Sequence, residues 1–147
     1  MVFALRSSTK GRQTPMEKNR SVLVVDDDES LNRVMAELLQ AKGFEVRTAY
    51  NGVQGYTCYL RHPTQFVVTD IQMPDLDGIE MMRCIRAINP AVKTIYVSGA
   101  LEPLRGILGM EEGDFATVFL NKPFSAKDLL RALYGGFDGE NTGDREF

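Results

Sequence analysis

The chain has 147 residues, room for one ordinary domain, and its apolar fraction of 44% admits a proper buried core. A formal charge of −3 leaves no strongly basic face of the kind nucleic-acid binders show. Cys58 and Cys84 are too few for a disulfide framework and lack C-x-x-C spacing, and no apolar stretch reaches the roughly 18 residues that span a bilayer, so a cytoplasmic protein with reduced, packed thiols is expected.

Residues 1–20 have no hydrophobic periodicity and carry five Lys/Arg against Glu17 alone, so they read as a flexible arm. A continuous apolar run over 21–26 then suits a strand buried on both faces, and it ends in acids. Leu31, Val34, Met35, Leu38 and Leu39 recur at helical spacing until Gly43, with Asp28 placed to cap the helix. A second strand is expected over 44–49, and Asn51 can cap a helix reaching Arg61, closed by His62-Pro63.

The third strand, 66–70, is again apolar and again ends in an acid. A loop with Pro74 and Gly78 follows, in which Asp75 and Asp77 read as loop-shaping residues. Next comes a helix through Met81, Met82 and Ile85 to Asn89, with both methionines as packing. The fourth strand covers 92–98. A helix over 101–112 is weakened by Pro103, Gly106 and Gly109. The fifth strand covers 115–121. Ser125 and Asp128 form a capping-box pattern for a last helix through Leu129, Leu130 and Leu133, stopped at Gly135. Residues 135–147, with four acids against Arg145, read as a flexible polar tail.

Strands alternating with helices require a parallel sheet with right-handed crossovers, and ligands bind such sheets beyond the carboxyl ends of the strands. Those ends carry Asp26-Asp27-Asp28, Asp70, Ser98-Gly99 and Lys122-Pro123, so all four groups should project over one edge. Clustered carboxylates repel unless a cation compensates them. A hard-oxygen set with few protein ligands suits Mg²⁺, while Lys122 adds a second positive charge and Ser98 a hydroxyl donor. That is the environment phosphoryl transfer to a carboxylate requires.

The segments Val24-Val25-Asp26-Asp27-Asp28, Thr69-Asp70-Ile71-Gln72-Met73-Pro74-Asp75-Leu76-Asp77-Gly78 and Asn121-Lys122-Pro123-Phe124 resemble those of the receiver domain of two-component response regulators, and the similarity covers about 21–134. The resemblance implies a flavodoxin-like (βα)5 fold, a doubly wound five-stranded parallel sheet of order 2-1-3-4-5. It implies a phosphoacceptor rather than an enzyme, phosphorylated on Asp70 by a histidine kinase or histidine phosphotransfer protein. Asp27 is then the main metal carboxylate, assisted by Asp26 and Asp70, with the backbone carbonyl of Gln72 completing the Mg²⁺ ligands. Ser98 contacts the phosphoryl group, Lys122 pairs with it, and Phe119 is the aromatic switch beside Ser98. Lys122-Pro123 is expected to be cis. A stand-alone regulator is expected, without a DNA-binding output domain and acting through protein contacts.

The departures are Ser98-Gly99 where many receivers have Thr-Ala, and a glycine-rich segment over 101–114 without the usual Gly-Ala pair before the fifth strand. Two rival readings compete. In a haloacid-dehalogenase-type phosphatase, Asp26-Asp27-Asp28 would supply a D-x-D nucleophile motif, but no second acidic pair follows Lys122 and there is no room for a cap. In a pseudo-receiver interaction module phosphorylation is lost, against which the complete acid–lysine set counts.

Overall fold

The computed structural model describes residues 20–100 and 115–137, together with Gly106 and Gly109. The expected helix over 101–112 otherwise lies outside the described residues, as do the arm before Arg20 and the tail beyond Phe137.

β1 (Ser21–Val25), β2 (Glu45–Ala49), β3 (Phe66–Asp70), β4 (Lys93–Ser98) and β5 (Thr117–Asn121) form one parallel sheet in the order β2-β1-β3-β4-β5. This is the doubly wound fold expected. Val22 pairs with Val46 on one side and Phe66 on the other, so β1 is hydrogen-bonded along both edges. Strand order reverses between β1 and β3, which puts the switch point at the carboxyl ends of these two strands.

The pleat sorts each strand's side chains to two faces. Val22, Val24, Val68 and Ile95 pack with Met35 and Leu39 of α1 (Glu29–Ala41) and with Leu129 and Leu133 of α4 (Ala126–Gly135). Leu23, Val25, Val67 and Tyr96 pack with Tyr59 of α2 (Gly52–Arg61) and with Met81, Met82 and Ile85 of α3 (Gly78–Ile88). A strand apolar along its whole length can serve both layers at once. No helix among the described residues is long and apolar enough to cross a membrane.

The caps expected at Asp28, Asn51 and Ser125 are present, the last as a full capping box with Asp128. Strand limits move inward where flanking backbone is used in turns. The Phe44 N–H bonds the Leu39 carbonyl, and the Val92 N–H bonds that of Asn89, so β2 and β4 each start one residue later than expected.

Two packing expectations are corrected. Val34 is 60% exposed, and the buried stripe of α1 runs instead through Asn32, Met35, Ala36 and Leu39. Asn32 holds its place by donating Nδ2 to the carbonyls of Asp26 (3.2 Å) and Ala49 (2.8 Å), tying the helix to two strand ends. Cys84 is exposed, facing outward between the buried Met82 and Ile85, while Cys58 is half-buried against the core as expected.

Candidate functional site

β1 delivers three consecutive acids to its carboxyl end, and they meet different fates. Asp28 is exposed and caps α1, its Oδ1 accepting from the Leu31 N–H at 3.1 Å. That use engages one oxygen of the second aspartate a D-x-D nucleophile motif needs. Asp26 is fully buried, and its Oδ1 accepts from the Asp28 N–H at 2.9 Å. Asp27 is exposed.

Asp70 closes β3, almost completely buried. One oxygen from each of Asp26, Asp27 and Asp70 lies within 4.8 Å of the others. Across from them, Lys122 follows the last residue of β5, and its N–H bonds the Ser98 carbonyl at 2.9 Å, so the β4–β5 ladder carries it to the edge. The peptide to Pro123 is cis, as expected. Lys122 Nζ stands 3.4 Å from Asp26 Oδ2 and 3.4 Å from Asp70 Oδ2.

Burial, then the neighbouring Asp26 carboxylate, push the Asp70 carboxyl up to about 6, and the pull of Lys122 does not offset them. Burial likewise raises Asp26, against the Asp28 N–H and Lys122. Burial works to lower Lys122, but Asp26 and Asp70 outweigh it and hold the ammonium above its ordinary range. One lysine therefore leaves the acids under-compensated. Asp26 Oδ2 is buried and meets only the Lys122 ammonium, at 3.4 Å, longer than a good charge-assisted hydrogen bond. A buried, weakly held oxygen beside two further carboxylates is a donor set that fits a hard divalent cation.

The loop after β3 is held tightly. Gly78 N–H bonds the Ile71 carbonyl at 2.9 Å, and a Cβ on Gly78 would stand 2.2 Å from the Asp70 carbonyl oxygen, so only glycine lets α3 start this close to the acid. Asp77 caps α3 in a capping box with Glu80, and Asp75 turns the chain at φ 71°, which fits the loop-shaping roles expected of both. On the far side of the loop, a Cβ on Gly52 would meet the Leu76 carbonyl oxygen at 2.2 Å.

The remaining candidates stand around this centre. Ser98 is fully buried, its Oγ donating to Gln72 Oε1 at 2.7 Å and accepting from the Ala100 N–H at 2.9 Å. Phe119 is half-buried one layer down, stacked on Tyr96 with ring centres 5.9 Å apart. Thus Asp26, Asp27, Asp70 and Lys122 are brought together, Ser98 is engaged by Gln72, and Phe119 stacks on Tyr96. Asn32 escaped the sequence reading. Its one signal was a polar residue interrupting an apolar helical stripe.

The family model for the response regulator receiver domain matches residues 22–134. The CpxR homolog of Haemophilus influenzae, a transcriptional regulatory protein, is 35% identical over 76% of this chain and 48% of its own length. The response regulator receiver protein CpdR of Brucella abortus is 29% identical over 78% of this chain and 93% of its own. Among solved structures, a CheY-like receiver domain protein from Methanospirillum hungatei superposes with a TM-score of 0.71 at 25% identity, covering 81% of this chain and 94% of that one. A receiver domain protein from Clostridium thermocellum gives 0.65 at 33% identity, over 74% of this chain and 86% of its own. The chain belongs to the response regulator receiver domain family. It spans about half the length of the CpxR homolog and of TrcR from Mycobacterium tuberculosis.

Proposed function

We propose that this chain is the phosphoacceptor of a two-component phosphorelay, taking a phosphoryl group on Asp70 from the phosphohistidine of a histidine kinase or histidine phosphotransfer protein. The observation that carries this reading is the single ammonium of Lys122 set 3.4 Å from the carboxylates of two different strands. Asp26, Asp27, Asp70 and the Gln72 carbonyl would hold Mg²⁺. Bound there, the ion supplies positive charge against the phosphoryl oxygens and against the acids themselves.

An Oδ of Asp70 forms the new bond to phosphorus while the P–N bond of the donor breaks and its electron pair returns to the imidazole. Asp70 must be ionised to attack, and a carboxyl at about 6 is mostly so at neutral pH. Lys122 pairs with the oxygens of the transferring group, so positioning and charge compensation do most of the work. Ser98 then donates to a phosphoryl oxygen. Phe119 follows inward, altering the surface around β5 and α4 that a downstream protein reads.

Labelling with acetyl phosphate in Mg²⁺, followed by peptide mapping, tests the assignment. The label is expected on Asp70 and should vanish in Asp70→Asn with the circular dichroism spectrum unchanged. A label on Asp26, or one retained at position 70 in the variant, overturns it.

A further inference from the structure

The hydroxyl of Ser98 has one proton, and in this structure it is already committed. Oγ donates it to Gln72 Oε1 at 2.7 Å, while the Ala100 N–H occupies a lone pair at 2.9 Å. The Ser98 side chain is fully buried, so water does not compete for that proton. Gln72 is exposed, reaching back over the strand end from the loop after Asp70. The start of that loop is fixed beside β4 because the Ile71 N–H bonds the Val97 carbonyl at 3.1 Å.

We propose that Gln72 is a positioning residue acting through Ser98: its side-chain carbonyl retains the Ser98 proton in the free chain and must release it before Ser98 can donate to a phosphoryl oxygen on Asp70. The proposal rests on the phosphoacceptor reading given above. The exchange replaces a neutral O–H···O=C bond by a charge-assisted O–H···O⁻ bond, so it runs forward once the anion is present. The released Gln72 amide returns to water, which satisfies it. Gln72 therefore sets a threshold against occupancy of the Ser98 site without blocking it. Its backbone carbonyl, offered to the metal, survives any substitution at the position, so the two contributions of residue 72 can be separated.

Beryllofluoride, which bonds a carboxylate oxygen and stands for the tetrahedral phosphoryl group, provides the test. Its affinity in saturating Mg²⁺ is measured for the unaltered chain, Gln72→Ala, Ser98→Ala and the double variant. Removing one neutral hydrogen bond from the free state should tighten binding on the order of fivefold in Gln72→Ala. The same substitution should change nothing in the Ser98→Ala background. An equal effect in both backgrounds, or looser binding in Gln72→Ala alone, overturns the proposal. A readout without ligand accompanies it: the Gln72 side-chain amide resonance in the free chain should move on Ser98→Ala. A resonance that stays put rules out the retained proton. Should that resonance move while no variant binds beryllofluoride, the phosphoacceptor reading fails, and the exchange falls with it although the hydrogen bond stands.

Discussion

Asp70 combines near-complete burial with a second acid at close range, and its carboxyl is pushed from 3.8 up to about 6. A carboxyl raised in the folded state binds its proton more tightly there than in the unfolded chain. Without metal, stability therefore falls as pH rises from about 4 to about 6 and stays low above that. Asp70→Asn should accordingly stabilise the metal-free chain at pH 7, by an upper bound of about 3 kcal/mol, with the gain shrinking toward pH 4. Urea denaturation in a chelator across that range measures it, and a gain that grows on acidification contradicts the account. At this scale much of the site was legible. Asp27, Asp70 and Lys122 announce themselves because charged residues directly after apolar strands have nowhere to go but the sheet edge. Asn32 did not, because the two carbonyls it bridges belong to Asp26 and Ala49, which adjoin only after β1 and β2 pair. The Gln72–Ser98 bond was hidden for the same reason, being formed between two strand ends.

The elements came through with small boundary shifts, since apolar runs and capping residues are local signals. In α1, helical spacing counts Val34 with the inward stripe, yet Val34 is exposed, because the phase of the helix is set by where Asn32 finds its partners. Close approach is likewise invisible to periodicity: Gly78 reads as a loop breaker, yet it is required by a carbonyl 2.2 Å from where its Cβ would be. Gly78→Ala should force α3 away from Asp70 and destabilise the chain by about 1–3 kcal/mol, seen as a lower denaturant midpoint. Acetyl phosphate labelling of the folded fraction should also slow. Removing the cap by Asp77→Ala should cost about 1 kcal/mol with labelling far less affected, because the cap lies outside the acid cluster. Equal kinetic damage from both variants would show that α3 does not position Asp70 through Gly78.

For the whole molecule, folding gathers three acids with a single lysine against two of them, so part of its stability is expected to depend on a cation. Mg²⁺ at a hundred times its dissociation constant should add about 2.7 kcal/mol to the free energy of unfolding. Asp27→Ala, which alters the exposed member of the acid cluster and leaves the core intact, should remove most of that gain. An undiminished Mg²⁺ response in this variant would place the ion elsewhere. The two glycine contacts on either flank of the β3–α3 loop carry a consequence for motion. With Leu76 abutting Gly52 and Asp70 abutting Gly78, the backbone of this rim is wedged from both sides. Rearrangement at the mouth is thus left to rotation about side-chain torsions, so nuclear relaxation should find 71–78 quiet along the main chain while the Gln72 and Ser98 rotamers interconvert.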